Sequence, residues 1–345
     1  FQMLMGHPRV ILSRSARRDG APTVPSRWLQ RLHALLGGDE TKALQQRGQK
    51  YLDWAGQIDS GEDTKRVEPP KPKPPLALRP KHFSVTEIGT LRRDPYAIYA
   101  KKILGLEPLP DLIREANALE RGNLFHKILE RFVEERTDAP GKKEDLVRIG
   151  TEEFAKAALP ADVHALWWRR FEKTASGILE IEVKRAESID RSIIETASNR
   201  LPVDGTSITL SGRADRIDIL NDGTAVIIDY KSGGSSSAKQ AKTLLAPQLP
   251  LEAALLARGA FNDPGILQAS ELAYERLKPN GEVKWEPVAD TGGKKESASG
   301  LGELAWEKLG HILRHYGDPN TAYESQVLPA SERTAGDYDH LARVL

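Results

Sequence analysis

Asp215, Asp229 and Lys231 are placed where two carboxylates and an ammonium could act together on a metal ion or a phosphate. They lie within GTSITLSGRADRIDILNDGTAVIIDYKSGG, residues 205–234. Polar–apolar alternation predicts strands over 206–210 and 213–220, and the β-branched run 224–230 predicts another. Between the last two, Asn221-Asp222-Gly223 is hairpin chemistry, with Gly223 able to take the positive φ a tight loop demands. With those three residues as the loop, Leu220 pairs with Thr224 and the same register carries Asp215 opposite Asp229. Alternation sets Asp215 on the face of Ile217 and Ile219, and Asp229 on that of Ala225, Ile227 and Lys231. Asp218 shares the other face with Arg216, so it is expected to be a structural or solvated acid and not a metal ligand. Like charges facing each other on an apolar surface are destabilising, and a divalent ion would compensate them.

The elements that must hold this hairpin are legible on both sides of it. Upstream, Ser84 and Glu87 have capping-box spacing and open a helical region that Pro95 breaks. Tyr96 and Tyr99 within it are expected in the core. Over 117–136, Phe125, Ile128, Leu129, Phe132 and Val133 recur at helical spacing, with His126 beside the stripe and Gly122 one turn earlier. A single histidine so placed is ordinarily structural. Helices are predicted over 143–159 and 162–189, the second with Trp167, Trp168 and Phe171 as core residues. A strand is expected near 192–197, where Glu195 is read as an exposed strand acid before a place in the acidic site. Downstream, 233–237 is expected to be a loop and 239–258 a helix interrupted by Pro247 and Pro250, with Gln248 and Glu252 on one face. A strand over 269–277, a mobile loop over 292–302 and a helix over 303–315 complete the series.

Ahead of these, 10–12 reads as a short strand and 26–36 as an amphipathic helix capped by Ser26. The opening suggests the tail of a larger unit, residues 1–64. KRVEPPKPKPPLALRP, 65–80, is a composition for an extended linker, placed at 65–81. The remaining domain is 82–345. The 345 residues of the whole chain allow one large or two modest domains. The absence of cysteine removes disulfides, thiolate zinc sites and iron–sulfur clusters, so any metal must use oxygen or imidazole. No membrane span or secretory signal is apparent, which gives the expectation of a cytoplasmic protein. Residues 1–102 carry 19 Lys and Arg against 10 Asp and Glu, nine net positive charges, so a chain of overall charge +1 has its basic part in front. No Walker A pattern is present.

Gly212-Arg-Ala-Asp215, Asp229-Tyr-Lys231, the upstream His126 and the following Gln248 resemble, in order and spacing, the PD-(D/E)XK nucleases of the RecB type. Within that group the chain is similar to the C-terminal region of the AddB family of alphaproteobacteria, on VTEIGTLRRDPYAIYAKKIL, GNLFHKILERF, QLPLEAALLARGAF and DYDHLARVL. VILSRSARRDGAPTVPSRWL resembles the end of the helicase-like region that precedes that nuclease. The resemblance implies an α/β fold, a restriction-endonuclease-like mixed central sheet flanked by helices with a helical arm. It implies that His126, Asp215 and Asp229 surround a metal ion, with the Tyr230 carbonyl a further ligand. Lys231 would assist the attacking water, and Gln248 would hold the site or the strand being cut. Two departures stand out: Glu252 replaces a tyrosine common at that position, and the four-cysteine iron–sulfur brace of many AddB proteins is ruled out. Mg²⁺, with Mn²⁺ as an alternative, suits oxygen ligands in octahedral geometry. The implied function is hydrolysis of single-stranded DNA ends during double-strand break processing, beside an AddA-type helicase–nuclease subunit. The alternative is an inactive nuclease fold serving as a DNA-binding or assembly scaffold.

Overall fold

The computed structural model describes residues 1–18, 20–60, 67–109, 116–136, 140–233, 236–278, 280–289, 297–328 and 336–344. The chain divides into two compact units, Phe1–Val67 and Glu68–Leu345. In the first, Ser26 caps helix α1 (Arg27–Asp59), accepting from the Leu29 amide. The expected helix end at Leu36 is a kink at Gly37, whose φ of 76° interrupts α1 before it resumes. No residue of α1 is buried. Residues 10–12 form no strand; a two-residue ladder joins Arg17–Arg18 to Ala21–Pro22 instead. An apolar triplet is no strand without a partner for its backbone groups.

The second unit is built on a five-stranded sheet. In chain order its strands are β1 (Ile189–Ala197), β2 (Arg213–Leu220), β3 (Ala225–Lys231), β4 (Ala269–Leu277) and β5 (Val283–Ala289). Their spatial order is β5-β4-β3-β2-β1, all neighbours antiparallel except β3 and β4. A parallel pair needs a crossover, and the segment between β3 and β4 supplies one that includes a helix, Gln248–Ala257. The sheet is mixed and flanked by helices, as the α/β reading expects.

On one face pack α2 (Val85–Arg93), the crossover helix and a long helix, Ala298–His315, joining Ile88, Leu91, Leu251 and Leu309 to Ile217 and Ile227. The other face carries α3 (Ala118–Glu135), α4 (Lys143–Lys156) and α5 (Ala161–Arg185), joining Phe125, Phe132, Ile149 and Phe171 to Val226, Ile228 and Tyr230. Covered on both faces, residues 225–230 of β3 are all buried, which explains their near-continuous apolar run. We label the crossover helix α6 and the Ala298–His315 helix α7.

Several boundaries differ from those expected. Of 206–210, only Thr209–Ser211 is a strand, in a small separate sheet with His82–Ser84 and Leu201–Pro202. Thr206 turns the chain before it, its hydroxyl donating to the Val203 carbonyl and accepting from the Ile208 amide. The helix expected over 239–258 is two helices, Ala238–Lys242 and α6. Pro250 does not interrupt α6, because it lies in the first turn, where an amide has no helical partner to lose. Helix α7 begins before residue 303, with Ser297 accepting from the Gly300 amide and Leu301 buried. Residues 292–296 of the expected loop, and 234–235 of the one after β3, lie outside the described residues, as do 61–66, which include the start of the Pro/Lys-rich stretch. From Glu68 that stretch belongs to the second unit, where the buried Arg79 guanidinium donates to carbonyls of Pro74, Tyr316, Asp318, Pro319 and Thr321. Tyr96 is buried and Tyr99 packs against the core.

Candidate active site

The β2–β3 hairpin turns at 221–223: Gly223 has φ 79° and donates to the Leu220 carbonyl, and Asp222 accepts from the Thr224 amide. Pairs run from Ile219↔Ala225 to Arg216↔Ile228 without a shift, a register that one further step would carry to Asp215 facing Asp229. Asp215 Oδ2 accepts from the Tyr230 amide at 2.9 Å. Asp229 is nearly inaccessible; its Oδ2 lies 2.6 Å from Lys231 Nζ and its Oδ1 accepts from Gln248 Nε2 at 3.3 Å. Gln248 is positioned as the first residue of α6.

His126 comes from the opposite layer. The buried stripe Phe125, Ile128, Leu129 and Phe132 fixes the rotation of α3, which turns the imidazole toward the end of β3. Its Nε2 is 2.8 Å from the Tyr230 carbonyl oxygen and its Nδ1 is 3.6 Å from Asp215 Oδ2. Gly122 permits this approach, since a Cβ there would stand 3.1 Å from Ser232 Oγ.

Glu195 joins the cluster. Flanked by the pairs Ile194↔Arg216 and Thr196↔Ala214, it stands at the β1 position opposite Asp215, with a left-handed φ of 46° unusual for a side-chain-bearing residue. Donor atoms of His126, Glu195 and Asp215 lie within 4.8 Å of one another, close enough to hold a metal ion. Glu195 is therefore no merely exposed acid: it is part-buried and paired with Arg213 at 2.6 Å. Its place was hidden in the sequence because residues 198–212 separate β1 from β2, and no tight turn sets their register.

The electrostatics favour a cation. Burial, then the charge of Asp229, hold the Asp215 carboxyl well above the usual carboxylate range. Burial lowers the His126 imidazole, favouring the neutral form that ligates metals. For Lys231 burial opposes charge, but the neighbouring Asp229 outweighs it and the shift is upward. Glu252, one turn after Gln248, is wholly buried, and neither of its oxygens has a hydrogen-bond partner among the described residues. Burial, then Asp229 and Asp215, raise it well above its usual range, which favours its neutral form. Among the described residues, the groups whose ligand atoms come close enough to share an ion are the Glu195 and Asp215 carboxylates and the His126 imidazole, a donor set suited to a divalent metal; Asp229, held by Lys231 and Gln248, is not in that group.

Asp218 belongs to the other face and is not solvated. It is fully buried, accepting from Arg216 Nε at 2.6 Å and pairing with Arg185 at 2.7 Å, while Arg216 and Arg136 both reach Glu182. Arg216 also donates to the Tyr230 hydroxyl at 3.2 Å. Tyr230 thus has its ring anchored in this network while its peptide groups meet Asp215 and His126.

A family model described as the PD-(D/E)XK nuclease superfamily matches residues 82–330, and the chain belongs to that superfamily. Among curated proteins it is similar to the uncharacterised protein RC0550 of Rickettsia conorii, 28% identical over 268 residues, which are 76% of this chain and 31% of the relative. An uncharacterised protein of Rickettsia felis is 25% identical over 314 residues, 86% of this chain and 36% of its own length. The chain therefore spans about a third of the relatives it matches. Among solved structures, one titled "Putative exonuclease" from Eubacterium rectale aligns with TM-score 0.40 and 10% identity, over 77% of this chain and 94% of that one.

Proposed function

We propose that the second unit is a metal-dependent deoxyribonuclease acting on single-stranded DNA ends. The observation that carries this is the convergence of Asp215, Asp229 and Lys231 with His126 at one end of the sheet. Asp215, Asp229 and His126 would hold the ion, with the Tyr230 carbonyl and Glu195 in reach. When bound, a divalent ion polarises the phosphate and lowers the pKa of a coordinated water. The chain's own groups do the rest. Gln248 and Lys231 fix the Asp229 carboxylate from two sides. Lys231 presents a compact cation where negative charge accumulates on the attacked phosphate.

The AddB resemblance supports a wider setting: residues 1–64 as the tail of a helicase-like region, and an AddA-type helicase–nuclease partner that delivers ends during break repair in the cytoplasm. Incubation with end-labelled single- and double-stranded DNA in Mg²⁺, Mn²⁺ or EDTA, with and without that partner, tests the reading. Cleavage in metal and none in EDTA is expected, with the single strand preferred. DNA retention without cleavage, partner present, would favour the scaffold reading.

A further inference from the structure

Among the described residues, two arginines beside the end of β3 have no acid to answer them. Arg121 lies in the first turn of α3, immediately before Gly122, which packs against Ser232. Its guanidinium stands 5.9 Å from the buried Trp167 ring, and its Nε is buried without a hydrogen-bond partner. Arg170, on α5, donates from Nη2 to the carbonyls of Ser232 at 3.1 Å and Leu277 at 3.4 Å, and its Nε is likewise buried and unpartnered. Neither guanidinium has an ion pair with a carboxylate among the described residues, in a chain where Arg131, Arg136, Arg148, Arg185 and Arg216 all have one. The nearest acid in sequence, Glu120, turns toward the cap of its own helix and accepts from the Asn117 amide. Burial and then the charge of Arg121 lower Arg170, which places the two cations within each other's field.

Part-buried like charges without a counter-ion are costly unless an anion arrives to meet them. Arginine's planar fork suits a phosphate, and Ser232 directly follows Lys231, the last residue of β3. We propose that Arg121 and Arg170 form a phosphate subsite that grips the backbone of single-stranded DNA next to the phosphate being cut. The assignment rests on the nuclease reading for what is bound, but its test does not require cleavage.

The measurement is anisotropy of a labelled single-stranded oligonucleotide titrated with the full chain in EDTA over a KCl series, for wild type, Arg121→Gln and Arg121→Lys. Arg121→Gln removes no hydrogen bond seen among the described residues, so the melting temperature should hold. The slope of log affinity against log salt should flatten by about 0.7, one single-strand phosphate contact, and Arg121→Lys should restore most of it. Arg170→Lys, which keeps the charge but not the fork, should weaken binding while leaving most of the slope. Equal slopes for wild type and Arg121→Gln, no binding by wild type, or a loss that Arg121→Lys does not recover would overturn the subsite. A flattened slope in a protein that never cleaves with metal would keep the subsite and overturn the nuclease reading. Unchanged slopes in a protein that does cleave would do the reverse.

Discussion

Lys231 and Asp215 make different demands on the chemistry, and each can be separated experimentally. Lys231 is held by Asp229 at 2.6 Å, and in the proposed nuclease it would supply charge to the transition state, so Lys231→Ala should lower kcat by about 10²–10³-fold with DNA affinity little changed. Steady-state kinetics against the anisotropy measurement would read that split. Asp215 is raised by burial and then by Asp229, so it retains its proton to higher pH than an ordinary aspartate. A metal ion must displace that proton, and the apparent Mn²⁺ affinity should climb as pH rises through the titration of the coupled pair. Calorimetry in buffers of different ionisation enthalpy would show proton release on binding, and Asp215→Asn should abolish it along with most of the affinity.

Among the elements, the hairpin was the most legible, because turn, register and facing acids all follow from the contiguous residues 215–229. The α3 stripe was equally plain, but periodicity alone leaves His126 a structural histidine; the family resemblance, not the spacing, gave it a role. Glu195 and the Arg216 network were not legible, since each depends on register or helix packing between segments far apart in sequence. Asp218 illustrates the point: alternation separated it from Asp215, yet only the packing of α5 shows it buried against Arg216 and Arg185.

Packing at this scale makes two predictions. A Cβ at Gly150 of α4 would lie 2.3 Å from the Phe171 ring on α5, so Gly150→Ala should cost about 1–3 kcal/mol through overpacking, read as a lower melting temperature. Burial and then Glu182 push Glu275 up to about 8, and its oxygens have no hydrogen-bond partner among the described residues. The folded state then binds a proton that the unfolded state releases near its ordinary value of 4.5, so stability from this group is lost as pH rises from there toward 8. Chemical denaturation from pH 5 to 8 should show Glu275→Gln with a weaker pH dependence and a relative gain at the alkaline end.

For the molecule as a whole, the second unit has its core on both sides of its own sheet, whereas α1 buries none of its residues. Residues 68–345 alone should therefore melt cooperatively, and circular dichroism of that truncation would check it. No helix among the described residues is long and apolar enough to cross a membrane. The central claim is that the β2–β3 register builds a divalent-metal site from Asp215 and Asp229. Anomalous diffraction from crystals soaked in Mn²⁺ tests it most directly. The account predicts a manganese peak coordinated by both aspartates and His126, with the Lys231 ammonium beside it. A peak held by His126, Glu195 and Asp215 while Asp229 stays paired only with Lys231, or no peak at that end of the sheet, would contradict it.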